Sequence, residues 1–214
     1  MPRMPRSRAQ QPLCPAEQRR VPPSDRRTAI VQAAYRLIAE RGLEGLRFAE
    51  VAQAAGINNG TLLYYFASKD ALIQAVGAYL VNGFSQSTPP PRADGTPLDA
   101  LEELRWEFTD ARAHLHDEVG IVYTELLARA QRDAAVATLL RGIDASWRGW
   151  LRTLIERGRA AGLIREDVDV DLVATAVMTT IRGVGMQALV EGDPAGVEPV
   201  MDALGEQILG WIRA

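Results

Sequence analysis

The chain of 214 residues carries 24 Lys and Arg against 27 Asp and Glu, a formal net charge of -3, and its hydrophobic fraction is 47%. With a mean hydropathy of -0.08 it reads as a globular protein, long enough for one large domain or two small ones, and no run of 18 apolar residues suggests a membrane span. The single cysteine, Cys14, excludes an internal disulfide and a cysteine-built zinc cluster.

The charge is unevenly placed. Residues 1–88 hold 11 Lys and Arg against 6 Asp and Glu, and residues 89–214 hold 13 against 21. A basic front and an acidic back suit a phosphate-facing module joined to a body that avoids nucleic acid.

Residues 1–23 contain Pro2, Pro5, Pro12, Pro15, Pro22 and Pro23 with five arginines. Such a segment buries too little surface to fold alone, so a disordered arm is predicted, its arginines available to DNA phosphates. The first 25 residues lack the apolar core of a secretory signal, and a cytoplasmic protein is expected.

From Ser24 the pattern turns helical. Ser24 or Asp25 caps a first helix with Ile30, Ala33, Ala34, Leu37 and Ile38 at helical spacing, and Gly42 ends it. A short second helix is predicted over Phe48–Ala55, stopped by Gly56, a residue suited to positive φ. Asn58 caps a third helix ending near Phe66, and Ser68 caps a long fourth with Asp70 in its first turn. Pro89-Pro90-Pro91 then breaks the chain. Beyond it, helices are predicted at about 98–115, 118–131, 133–161, 169–191 and 195–213. The fold expected is all-α, with about nine helices.

The stretch 47–66 has the spacing of a helix-turn-helix, whose second short helix enters the DNA major groove. Asn58, Asn59 and Thr61 are candidate base readers, and Gly60 permits close approach. Arg47, Tyr64, Tyr65 and Lys69 are candidate phosphate contacts; Lys69 is the chain's only lysine.

Ala-Ala-Gly-Ile-Asn-Asn-Gly-Thr-Leu-Leu-Tyr-Tyr-Phe-Ala-Ser-Lys-Asp-Ala-Leu, at 54–72, resembles the signature of the TetR family of transcriptional regulators. Ile30-Val31-Gln32-Ala33-Ala34 and Glu40-Arg41-Gly42 resemble its first helix. The resemblance implies a DNA-binding domain over 24–84 and a C-terminal ligand-binding and dimerisation domain over 85–214. It also implies a homodimer on a palindromic operator, acting as a repressor released by a small molecule. Two positions depart from the family pattern: Leu46-Arg47 stands where a capping threonine is frequent, and Leu63 occupies the first tyrosine position of the recognition helix.

Further along, Glu166-Asp167-Val168-Asp169-Val170-Asp171 lacks the glycine and terminal glutamate of a calcium loop, and reads as an acidic helix cap. His114 and His116, two apart on a helix, do not share a face. No catalytic constellation, metal site or cofactor-binding loop stands out, so neither an enzyme nor a bound cofactor is expected. Trp106, Tyr123, Trp147, Trp150, Met178 and Met186 are candidates to line a cavity for an apolar or amphipathic effector. Arg182, in an apolar run, needs a buried carboxylate or an anionic ligand. Small residues beside Met201, Leu204, Ile208 and Trp211 suit a two-fold helical seam. The alternative weighed is a helical small-molecule-binding or enzymatic module with a vestigial helix-turn-helix.

Overall fold

In the computed structural model the described residues are 23–85, 89–115 and 117–214. Residues 1–22 of the arm expected at 1–23, with Cys14, and His116 lie outside them, whereas Pro23 is described and helical. The described residues form nine α-helices and no strand: α1 (Pro23–Gly45), α2 (Phe48–Ala54), α3 (Asn59–Tyr65), α4 (Lys69–Ser85), α5 (Ala100–Ala113), α6 (Glu118–Ala130), α7 (Ala134–Ala160), α8 (Val170–Glu191) and α9 (Glu198–Ile212). A 3₁₀ turn, Pro194–Gly196, precedes α9.

The helix boundaries follow from local capping. Asn58 Oδ1 accepts from the Thr61 amide at 2.8 Å, and Ser68 Oγ from the Ala71 amide at 3.1 Å. Asp99 and Glu102 form a reciprocal capping box at the start of α5. Asp169 Oδ1 accepts from the amides of Asp171 and Leu172 at 2.9 and 3.1 Å, so the acidic run at 166–171 opens α8. Each such cap contributes about 1 kcal/mol. The proline-rich connection is anchored too: Arg92 pairs with Glu102 and donates to the Pro97 carbonyl at 2.6 Å.

Two clusters of buried side chains hold the helices together. The first joins Ile30, Ala34 and Ile38 of α1 to Val51 of α2, Leu62 of α3, and Leu72 and Val76 of α4, and continues into Val122 and Leu126 of α6 and Val136 of α7. The second joins Leu104 and Phe108 of α5 to Leu151, Leu154 and Ile155 of α7, Val177 and Met178 of α8, and Met201 and Leu209 of α9. Each fully buried side chain of this kind stabilises the fold by about 1.5–3 kcal/mol relative to exposure. Packing is close where glycine allows it. A Cβ on Gly205 of α9 would stand 2.8 Å from the Phe108 ring.

α8 is long and apolar enough by length and composition to cross a bilayer, although its sequence is not an unbroken apolar run. It packs between α7 and α9 and carries an ion-paired Arg182. The chain's end is tied back onto the turn after α7, with the Arg165 amide donating to the Ile212 carbonyl at 2.9 Å and the Ala214 amide to the Leu163 carbonyl at 3.1 Å.

Candidate nucleic-acid interface

The turn between α2 and α3 is a Schellman motif. The Ile57 amide donates to the Ala52 carbonyl at 2.9 Å and the Gly56 amide to the Gln53 carbonyl at 3.1 Å, with Gly56 at φ 67°. The turn aims α3 across α2 and packs Ile57 against the first cluster. One side of α3 is anchored by Leu62, with Phe66 buried just past its end. The opposite side leaves Asn59, Gly60, Leu63 and Tyr64 exposed, Tyr64 at 83%. Tyr65 rests half-buried on the core, its ring edge-on to Tyr64 at 5.3 Å. Asn58 is also exposed, but its carbonyl oxygen is engaged in the cap. Gly60 lies against that cap: a Cβ there would fall 3.3 Å from Asn58 Oδ1.

The two flanking cations have structural partners. Arg47 is exposed and donates to the Glu44 carbonyl at 2.6 Å. Lys69 is half-buried, and its Nζ donates to the Leu43 carbonyl at 2.8 Å. The Leu43 amide donates in turn to Glu125 Oε2 at 2.8 Å. Gly42, at φ 70° and ψ 171°, interrupts the helical run of α1 just before this point. Its Cα faces the same carboxylate, with 3.1 Å left between a Cβ there and Glu125 Oε1. One turn on, Arg129 pairs with Asp70 at 2.9 Å. α6 is thereby tied both to the end of α1 and to the start of α4.

On another side of α6, Tyr123 faces the interior. The Arg182 guanidinium lies 5.4 Å from the Tyr123 ring and 5.2 Å from the Trp147 ring, and Asp144 holds it through both carboxylate oxygens. Of the two partners the sequence left open for Arg182, the carboxylate is present. Trp147 Nε1 donates to Glu107 Oε1 at 2.7 Å. Burial pushes the Glu107 carboxyl up to about 7, although the indole bond works the other way. Burial likewise raises the Tyr123 phenol.

Tyr123, Trp147 and Arg182 therefore converge, and Met178 is buried in the second cluster. Trp106 is half-buried, while Trp150 and Met186 are exposed, at 37% and 48%. Two cavities open elsewhere. A groove of about 250 Å³ between α5 and α9 is floored by Phe108 and flanked by the Arg105–Glu206 and Arg112–Asp202 pairs. A cleft of about 400 Å³ lies between α1 and α6, beside Tyr35, Asp117, Glu118 and Val119. Sequence reasoning missed Glu107, Asp144 and Glu125. The available signal for Glu107 was an acid between Trp106 and Phe108, three residues after the core leucine Leu104.

Comparison with known proteins accords with this geometry. Residues 30–76 match the family of bacterial regulatory proteins called tetR, and residues 102–210 match the C-terminal region of BetI-type transcriptional repressors. The HTH-type transcriptional repressor NicS of Pseudomonas putida is 32% identical over 143 residues, covering 66% of this chain and 67% of that protein. The repressor KstR2 of Mycolicibacterium smegmatis is 27% identical over 191 residues, covering 89% and 92%. A TetR regulator from Haloarcula marismortui has a similar fold, with a TM-score of 0.77, 22% identity, and coverage of 89% of this chain and all (100%) of that one. Another similar structure, from Saccharomonospora viridis, is a regulator in complex with choline, with a TM-score of 0.68, 21% identity, and coverage of 86% and 96%. A helix-turn-helix joined to a helical body defines a class of DNA-binding regulators rather than enzymes. The chain belongs to the TetR family of transcriptional regulators.

Proposed function

We propose that the protein is a homodimeric repressor of a palindromic operator, acting in the cytoplasm and released by a small apolar or amphipathic effector. The observation that carries this reading is the outward face of α3, where Asn59, Gly60, Leu63 and Tyr64 stand clear of the core on a capped, braced helix. Residues 24–84 then form the DNA-binding domain and 85–214 the body for effector and partner. Asn58, Asn59, Gly60 and Thr61 lie against base edges, and Arg47, Tyr64, Tyr65 and Lys69 against the phosphate backbone.

Dimerisation is supported by the apolar side chains that α8 and α9 leave in solvent, Met186 and Val190 on one and Val200 and Trp211 on the other. A single recognition helix reads a few base pairs, so useful affinity requires two half-sites. Repression is supported by the similar regulators NicS and KstR2, both named repressors. In this reading the effector site lies among Tyr123, Trp147, Met178 and Arg182, with Trp106, Trp150 and Met186 at its margins.

Gel shifts on duplexes from the chain's own promoter region, with sedimentation of the free protein, test the reading. A salt-dependent complex of two chains per palindrome is expected. A monomer in solution, or a complex indifferent to changes at Asn59 and Tyr64, refutes it.

A further inference from the structure

Three of the four residues on the outward face of α3 suit a polar partner. Asn59 and Tyr64 end in hydrogen-bonding groups, and Gly60 has no side chain. Leu63 does not fit that pattern. It is 52% exposed, while the core-facing positions around it are filled by Leu62 and Phe66. An isolated exposed leucine is ordinary on a protein surface. This one lies on the side of a seven-residue recognition helix turned away from the body, one turn after Asn59 and beside the bare backbone of Gly60. Helical spacing places Leu63 and Asn59 on one stripe, and Gly60 lets that stripe seat deeply.

The base edges of the major groove are hydrogen-bonding groups with one apolar exception, the 5-methyl group of thymine. We infer that Leu63 is a specificity-determining residue that reads a thymine 5-methyl group in each operator half-site. The contact removes two apolar groups from water, whereas a polar side chain at 63 would give up its own hydration to cover the methyl group. Asn59, about 5–6 Å away along the stripe, is placed to take an adenine edge one or two base pairs further on. Within α3 the remaining methyl-bearing side chains are Leu62, which is buried in the core, and Thr61, which is half-buried with its amide held in the Asn58 cap.

This inference rests on the interface proposed above, and one experiment separates the two. The full-length protein selects operators from a random duplex pool. Each thymine of the selected site is then replaced singly by deoxyuridine, which lacks only the methyl group. One thymine per half-site is expected to matter, its replacement weakening binding about fourfold. Leu63→Ala is expected to bind the thymine and uracil forms equally, while Leu63→Met keeps the discrimination. A wild-type protein indifferent to uracil at every position, or a Leu63→Ala variant that still discriminates, overturns the role of Leu63 alone. Failure to select any duplex overturns the interface with it.

Discussion

Glu125 and Lys69 grip opposite ends of one residue. The Leu43 amide donates to the Glu125 carboxylate at 2.8 Å, and the Leu43 carbonyl accepts from the Lys69 ammonium at 2.8 Å. The two side chains belong to α6 and α4, so a single backbone unit at the end of α1 joins three helices. The break at Gly42 makes this possible, because it frees the Leu43 amide from helical pairing and opens room for the carboxylate.

Removing the acceptor leaves that amide without a partner. Glu125→Ala is expected to cost about 1–2 kcal/mol in urea unfolding and to weaken operator binding, whereas Glu125→Gln, which keeps a carbonyl oxygen, recovers most of both. Gly42→Ala strains a positive φ and crowds the same carboxylate. Its cost should therefore be smaller in the Glu125→Ala background, by at least about 0.5 kcal/mol. Strictly additive losses would show that the two sites act separately.

Lys69 has three donors, and Leu43 takes one. Lys69→Met is expected to lower the slope of log affinity against log salt by about 0.9, the signature of one lost phosphate contact, together with a stability loss of about 1 kcal/mol. Tyr64→Phe removes a neutral hydroxyl, so affinity falls while the slope stays. An unchanged slope in Lys69→Met would assign that side chain to Leu43 alone.

Glu107 makes stability depend on pH. Its carboxyl is raised from 4.5 to about 7 in the fold, so the folded state binds the proton more tightly than the unfolded state. The contribution is full below pH 4.5 and is lost as pH rises through 7. It is at most about 3 kcal/mol. Glu107→Gln should flatten this part of the stability profile and raise the melting temperature at about pH 8, above that midpoint. A wild-type profile level between these limits would rule the titration out.

Gly205→Ala tests how α9 is held. The added methyl meets the Phe108 ring at 2.8 Å, and a ring in a packed core yields little, so a loss of about 1–3 kcal/mol is expected in thermal or urea unfolding. Gly210→Ala, whose Cβ meets nothing within 4 Å, serves as the control for the gain in helix propensity alone. Equal effects from the two would mean that α9 rides loosely on α5.

What the sequence disclosed was largely local. Caps such as Asn58, Ser68 and Asp169 act within three residues, and Gly56 stops α2 by its own backbone freedom, so helix limits were readable to within a few positions. The all-α architecture and the helix-turn-helix followed from periodicity for the same reason. Partners distant in sequence were not readable. Lys69 stands 26 residues from Leu43, Glu125 stands 82, and Trp147 stands 40 from Glu107. Nor does helical spacing say which large side chain faces inward. Trp147 turns toward Glu107 while Trp150, one turn later, meets solvent.

The placement of the tryptophans has a practical consequence. Trp106, Trp147, Trp150 and Trp211 lie on α5, α7 and α9, and the segment from α1 to α4 contains tyrosine but no tryptophan. Indole emission therefore reports on the body alone, and the segment carrying α3 is dark at the red edge of excitation. Trp147 is bonded to a carboxyl raised to about 7 and lies beside a guanidinium, so its emission responds to charge changes at both. Compounds can thus be screened by intrinsic fluorescence with operator present or absent, without attaching any dye.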